Sequence, residues 1–230
     1  VGRRSVKDLI EGLGVPHTEV DLVLVNGQSV DFSYRLSPGD RVSIYPVFEA
    51  LDIAGVTAVR PQPLRLLRFL ADVHLGRLAG YLRLAGFDTF YDNSWDDEQI
   101  AETAVREHRV LLTRDRGLLM RSVVTHGYLV RSHRPREQLR EVLDRFDLWG
   151  SVRPLSRCSV CNVVVEAVER EKVVEKVAPR TAAHCEEFWL CPSCGRIYWQ
   201  GAHYRSLMAL LSSHSSSAET EGRPREPGPP

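Results

Sequence analysis

Leu66-Leu67-Arg68-Phe69-Leu70-Ala71-Asp72 is an apolar run that stops on an aspartate, and Arg109-Val110-Leu111-Leu112-Thr113-Arg114-Asp115 repeats that arrangement further along. Each run is short and dominated by large aliphatic and β-branched side chains, the composition of a buried strand. Between them Leu75, Leu78, Ala79, Leu82 and Ala85 fall at helical spacing, and Gly86 closes that helix. Phe87 to Tyr91 then reads as a second short strand, and Asp97 to His108 as a helix turning Ile100, Ala101, Ala104 and Val105 inward. A helix over Arg116–Val123, a strand over Tyr128–Arg131 and a helix over Arg136–Phe146 follow. Strands separated by helices of this length predict βαβ units and a doubly wound parallel sheet, an α/β fold. Residues just past the carboxyl ends of such strands share one edge. Asp72 and Asp115 are therefore expected to meet there, with Asp96-Asp97-Glu98 opening the intervening helix.

On the amino-terminal side, Val6, Leu9, Ile10 and Leu13 have helical spacing behind a plausible Ser5 N-cap, and Gly14 and Pro16 end that helix. Asp21 to Val25 reads as a strand, Asn26-Gly27 as a hairpin turn, Ser29 to Phe32 as the partner strand, and Arg41 to Pro46 as a strand after the turn Pro38-Gly39-Asp40. Residues 51–63 have linker composition. The organisation expected is a module over 1–50, the linker, an α/β domain over 64–150, a cysteine-bearing unit with a terminal helix over 151–211, and a disordered tail over 212–230 rich in Ser, Glu, Gly and Pro.

With 230 residues and zero formal net charge, the chain has no global basic field, so any nucleic-acid surface must be a local patch. No run approaches the roughly 20 apolar residues that span a bilayer, and no signal-peptide pattern is present; a cytoplasmic protein without membrane contact is expected. Cys158-x-x-Cys161 and Cys191-x-x-Cys194 form two thiolate pairs on two turns, which suits closed tetrahedral Zn²⁺ of a structural kind. Cys185 and its neighbour His184 are possible substitute ligands, but spacing favours the two pairs. Beyond the second pair, Arg196, Tyr198, Trp199, His203, Tyr204 and Arg205 interleave aromatic and basic residues, which suits either base stacking with phosphate contact or packing.

The acids carry the chemistry. Phosphodiester hydrolysis needs an activated water, charge stabilisation and help for the leaving oxygen, and Mg²⁺ or Mn²⁺ on carboxylates can supply all three. Asp72, Asp97 and Asp115 are the candidate ligands, with Asp96 or Glu98 as a fourth acid; each alone also suits helix capping. Arg77 and Arg114 either hold phosphate or neutralise a neighbouring acid, and His74 is more simply a structural hydrogen-bonder than a ligand. A phosphorylated receiver domain is excluded because Leu64 to Gly150 contains no lysine, and dinucleotide binding because Asp72 to Leu78 has no Gly-x-Gly-x-x-Gly.

Two resemblances sharpen this reading. Val25-Asn26-Gly27 and Pro38-Gly39-Asp40-Arg41-Val42 resemble the ubiquitin-like β-grasp sulfur carriers, although the family's opening hairpin is missing and the chain runs past Pro46 without Gly-Gly, so sulfur transfer is discounted and an interaction module with a protein partner is expected. Phe69-Leu70-Ala71-Asp72, Leu75-Gly76-Arg77-Leu78-Ala79, Leu82 to Thr89, Asp97-Glu98 and Leu111 to Asp115 resemble the PIN-like RNase domain named after the C-terminal part of the Mut-seven exonuclease. That resemblance extends through the cysteine pairs and implies a metal-dependent endoribonuclease acting on RNA, with Asp72, Asp97 and Asp115 as its acids. Members commonly carry a polar run after the first strand, where this chain has Asp72-Val73-His74. A non-catalytic RNA-binding or adaptor protein is the alternative.

Overall fold

The computed structural model describes residues 4–46, 55–59, 67–202 and 204–210. The proposed linker, the start of the first apolar run and the tail fall largely or wholly outside them. The chain divides into two compact units: Val1–Leu82 with Phe87–Leu148, and Arg83–Gly86 with Trp149–Pro230.

In the first unit the amino-terminal module begins with helix α1 (Val6–Gly12), closed by a capping box in which Ser5 Oγ accepts from the Asp8 N–H at 3.1 Å and the Asp8 carboxylate accepts from the Ser5 N–H at 3.0 Å. Strands β1 (Val20–Val25), β2 (Gln28–Ser29) and β3 (Val42–Pro46) form an antiparallel sheet in the order β2-β1-β3. Asn26 and Gly27 turn between β1 and β2 at φ 53° and 84°, the left-handed pair that a tight hairpin requires. Asn26 also donates to Asp40 at 2.9 Å and accepts from the Arg41 N–H at 3.0 Å, tying the two turns together. The core is Val6, Ile10, Val20, Val23 and Val25. β2 ends at Ser29, shorter than the expected Ser29–Phe32: the Val30 N–H still donates to the Val23 carbonyl at 3.1 Å, and Asp31 and Ser33 then close a local turn through the Asp31 carboxylate.

The α/β part follows as β4 (Phe69–Ala71), α2 (Gly76–Leu84), β5 (Thr89–Phe90), α3 (Asp97–Arg106), β6 (Val110–Thr113), α4 (Arg116–Met120), β7 (Gly127–Leu129) and α5 (Pro135–Arg145). All pairings are parallel and the order is β5-β4-β6-β7. The chain moves from β4 to one neighbour and then returns to the other, so the order reverses between β4 and β6. The predicted inner face of α2 is buried throughout at Leu75, Leu78, Ala79, Leu82 and Ala85. Ile100, Ala101 and Ala104 of α3 pack with Leu70, Leu111, Leu118, Leu119 and Val124, and each such side chain contributes about 1.5–3 kcal/mol by leaving water. Helix α4 stops at Met120 rather than Val123, since Arg121 is already extended at ψ 131°.

β7 is an edge strand, and the amino-terminal module covers its outer side. The Leu129 N–H donates to Glu19 Oε1 at 2.9 Å, Arg131 pairs with Glu19 Oε2 at 3.0 Å, and the buried His17 ring contacts the Val124 carbonyl at 2.9 Å and Glu11 at 2.7 Å. An uncovered strand edge is a template for unwanted pairing, and Glu19 occupies one of its donors.

The second unit carries β8 (Glu166–Val168), helix α6 (Pro179–His184), β9 (Phe188–Leu190) and β10 (Ile197–Trp199). The three strands form an antiparallel sheet in the order β10-β9-β8. Residues 204–210 are helical. Among the described residues no helix is long and apolar enough to cross a membrane.

Candidate active site and metal centre

The register Ala71↔Leu112 sets Asp72 level with Thr113 on neighbouring strands. Asp72 leaves β4, Asp115 follows β6, and the loop leaving β5 leads to Asp96-Asp97-Glu98. Three adjacent strands thus deliver acids to one carboxyl edge, with Asp72 and Asp115 on the two sides of the topological switch point, where open α/β sheets place their ligands.

Thr113 joins the first two. Its buried hydroxyl donates to Asp72 Oδ2 at 2.6 Å and accepts the Asp115 N–H at 2.9 Å. The other oxygen of Asp72 receives only a long contact from the His74 N–H at 3.3 Å. Asp72 is 2% exposed, and among the described residues no arginine, lysine or histidine pairs with it. A buried carboxylate lacking a counter-charge costs several kcal/mol, so this position favours a cation from solution.

The remaining acids are exposed. Asp115 caps α4, accepting from the Gly117 N–H at 2.7 Å. Asp96 forms a capping box with Gln99, with reciprocal bonds of 2.9 and 3.0 Å, and is thereby engaged. Asp97 and Glu98 occupy the first turn of α3 with carboxylates turned to solvent. Among the described residues no three carboxylates approach one another closely enough to share an ion. Mg²⁺ retains several waters and binds through one or two carboxylates, so the spacing of these acids is compatible with such an ion.

The two edges of the sheet differ in charge pairing. At the amino edge Asp88 and Arg109 form a two-point ion pair at 2.7 and 3.3 Å, with the guanidinium 3.3 Å from the Phe90 ring centroid. At the carboxyl edge neither Arg77 nor Arg114 has a carboxylate partner among the described residues, so neither neutralises a neighbouring acid. Arg77 lies exposed in the first turn of α2. Gly76 beside it makes room for Tyr91: a Cβ there would fall 2.6 Å from the Tyr91 hydroxyl, which donates to the Val73 carbonyl at 3.2 Å. His74 is exposed.

The four-sulfur cluster is the one group among the described residues with metal-ligand proximity: the sulfurs of Cys158, Cys161, Cys191 and Cys194 lie within 4.8 Å of one another. Contacts of 3.2, 3.4 and 3.7 Å sit just inside the ~3.8 Å edge of a tetrahedron with Zn–S near 2.3 Å. Each second cysteine is followed by a left-handed residue, Asn162 at φ 64° and Gly195 at φ 69°, whose N–H closes the turn on the carbonyl of the first cysteine at 3.0 and 2.9 Å, while the Cys161 N–H meets Cys158 Sγ at 3.5 Å. Cys185 and His184 stand outside the cluster. Burial by itself would raise the Cys158 thiol, but N–H donation from Cys161 and the Tyr198 hydroxyl, 3.1 Å from the sulfur, bring it down to about 6. Tyr198 itself is pushed up to about 12, chiefly by burial. Its hydroxyl also meets the Ser159 N–H at 2.9 Å, so this aromatic residue braces the sulfur site and does not present a stacking face. Sequence reasoning missed Tyr198 in this role, and it missed Thr113.

A parallel sheet with unneutralised acids at its switch point, preceded by a ubiquitin-like module and followed by a four-cysteine unit compatible with a zinc ribbon, defines the class. The chain belongs to the Mut7-C RNAse domain family: that family model matches residues 67–211, and the Mut7-C ubiquitin model matches residues 1–52. The match supports a nuclease-type, RNA-related role. No curated protein and no solved structure matches the chain.

Proposed function

We propose that the protein is a divalent-metal-dependent endoribonuclease whose carboxylate site is Asp72, Asp97 and Asp115. The observation that carries this reading is the buried, cation-less Asp72 tied through Thr113 to Asp115. When bound, Mg²⁺ or Mn²⁺ would supply Lewis acidity at phosphorus and a more acidic water. The chain's residues do the rest. Asp72 and Asp115 would hold the ion, with Asp97, or the adjacent Glu98, orienting water at the exposed rim; Asp96 is engaged as a cap. Arg77 and Arg114 hold phosphate and oppose its growing negative charge. The four cysteines hold Zn²⁺ and so shape the ribbon, and a thiolate site of this kind belongs in a reducing compartment such as the cytoplasm. The ubiquitin-like module meets any protein partner with faces other than the one covering β7.

Asp115→Asn tests the reading. It should lower Mg²⁺- or Mn²⁺-dependent cleavage of a labelled RNA by at least about a hundredfold while RNA affinity without metal stays within about twofold of wild type. The competing reading is a non-catalytic RNA-binding protein, favoured by the capping bonds that Asp96 and Asp115 already make. Wild-type protein that binds RNA but cleaves none in either metal would establish it.

A further inference from the structure

Among the described residues Arg114 contacts no acid, although Asp115 is next to it in sequence; its guanidinium lies against the imidazole of His133, with Nη2 at 2.8 Å from Nδ1 and 3.2 Å from Nε2. A neutral imidazole offers one acceptor nitrogen, its other nitrogen carrying a proton, so Nη2 donates to one of the two only. Nε and Nη1 of Arg114 have no acceptor among the described residues. Both two-pronged edges of a guanidinium, Nε with Nη2 and Nη1 with Nη2, share Nη2, whose two N–H bonds point one to each edge, so the imidazole takes one edge and leaves the other open.

The backbone under each residue is fixed. Arg114 stands between Thr113 and Asp115, whose turn is closed by the 2.9 Å bond from the Asp115 N–H to the Thr113 hydroxyl. His133 ends a loop held by α5: the Glu141 carboxylate accepts the N–H groups of Arg131 at 2.7 Å and Ser132 at 2.8 Å, and the buried Gln138 donates to the Ser132 carbonyl at 3.0 Å. Buried and half-buried polar groups thus hold the exposed Arg114 and His133 together at the ends of β6 and β7. Their neighbours differ, since Arg131 is paired with Glu19 and Arg134 with Glu137.

We infer that Arg114 and His133 act as one unit that binds a backbone phosphate of a nucleic-acid strand passing along the carboxyl edge, on the β7 side of the acids. This rests on the proposed RNA-directed function for the identity of the ligand. A guanidinium fork matches two phosphate oxygens, and the His133 ring sets its plane. His133 is a positioning residue in this arrangement.

The test is binding of a labelled RNA oligonucleotide to the full, zinc-loaded chain in buffer free of Mg²⁺ and Mn²⁺ and without a chelator, across a salt series. Arg114→Ala and His133→Ala should each weaken binding about tenfold, and the double variant should be little worse than either, as for residues acting together. The slope of log affinity against log salt should fall by about one for Arg114→Ala. His133→Gln, which keeps an acceptor, should retain most of the affinity, and Arg134→Ala should stay within about twofold of wild type. Wild-type affinity in His133→Ala, additive losses in the double variant, or an equal loss in Arg134→Ala would overturn the inference. Because binding is read without turnover, RNA held this way but never cleaved removes the nuclease reading alone. Cleavage that survives His133→Ala with unchanged binding removes the clamp alone.

Discussion

Asp72 can be distinguished from a structural aspartate by the sign of a stability change. If its carboxylate served the fold, removing the charge would weaken the protein. The geometry argues the reverse, since Asp72 is buried, has one good hydrogen bond and has no cationic partner among the described residues. Asp72→Asn keeps an acceptor for the Thr113 hydroxyl and removes the desolvated charge, so it should be neutral or stabilising by about 1 kcal/mol. Mn²⁺ should raise the melting temperature of the wild type and not that of Asp72→Asn. Thr113→Val should lose about 1–3 kcal/mol by leaving the carboxylate unsatisfied, and Thr113→Ser should recover most of it; thermal melts followed by circular dichroism read all three. The edge position of Asp72 and Asp115 was legible in the sequence because each closes an apolar run, and strand ends in a parallel sheet share an edge. Thr113 was not, because a threonine ending a strand is what β propensity alone would place there.

At the level of elements, the three residues that finish α1's connection into β1 decide how the edge of the larger sheet is managed. Glu19 accepts from the Leu129 N–H and pairs with Arg131, which itself donates to the Leu129 carbonyl at 3.3 Å. Glu19→Ala removes a charged acceptor from a partly buried edge and should cost about 1–3 kcal/mol, whereas Glu19→Gln should retain most of that. Hydrogen exchange should show the Leu129 amide at least about tenfold faster in Glu19→Ala, consistent with local opening of an edge strand. Concentration-dependent association should rise with it; unchanged exchange at Leu129 would deny the module this role. Helices and strands themselves were readable from periodicity and turn chemistry, as at Ser5, Asn26-Gly27 and Gly86. The pairing of Glu19 with β7 was not, since its two halves are far apart in sequence and neither belongs to a motif.

For the whole molecule, the division into two compact units makes different demands on the same chain. Among the described residues the first unit holds extended apolar clusters in both its amino-terminal module and its α/β part. In the second, buried apolar side chains such as Leu155, Val165, Val173 and Phe188 are joined by Cys158 and Cys191 of the four-sulfur cluster and by Tyr198. So small a core does not offset its ordering entropy unaided, and a four-thiolate Zn²⁺ contributes folding free energy directly. Chelation should therefore abolish protection of amides in β8, β9 and β10 while those of β4 and β6 keep theirs. Arg83 to Gly86 belong to the second unit: Arg83 donates to the Val160 carbonyl at 2.6 Å, and the Arg153 and Leu155 N–H groups donate to Ala85 and Leu84 at 2.8 and 3.0 Å. The last turn of α2 should accordingly fray on chelation, whereas Leu75 to Leu82 remain protected. Tyr198→Phe, which removes the hydroxyl donated to Cys158, should lower zinc affinity by about tenfold in competition with a chromogenic chelator. Loss of protection throughout both units on chelation would show that zinc holds the entire fold and not its second unit.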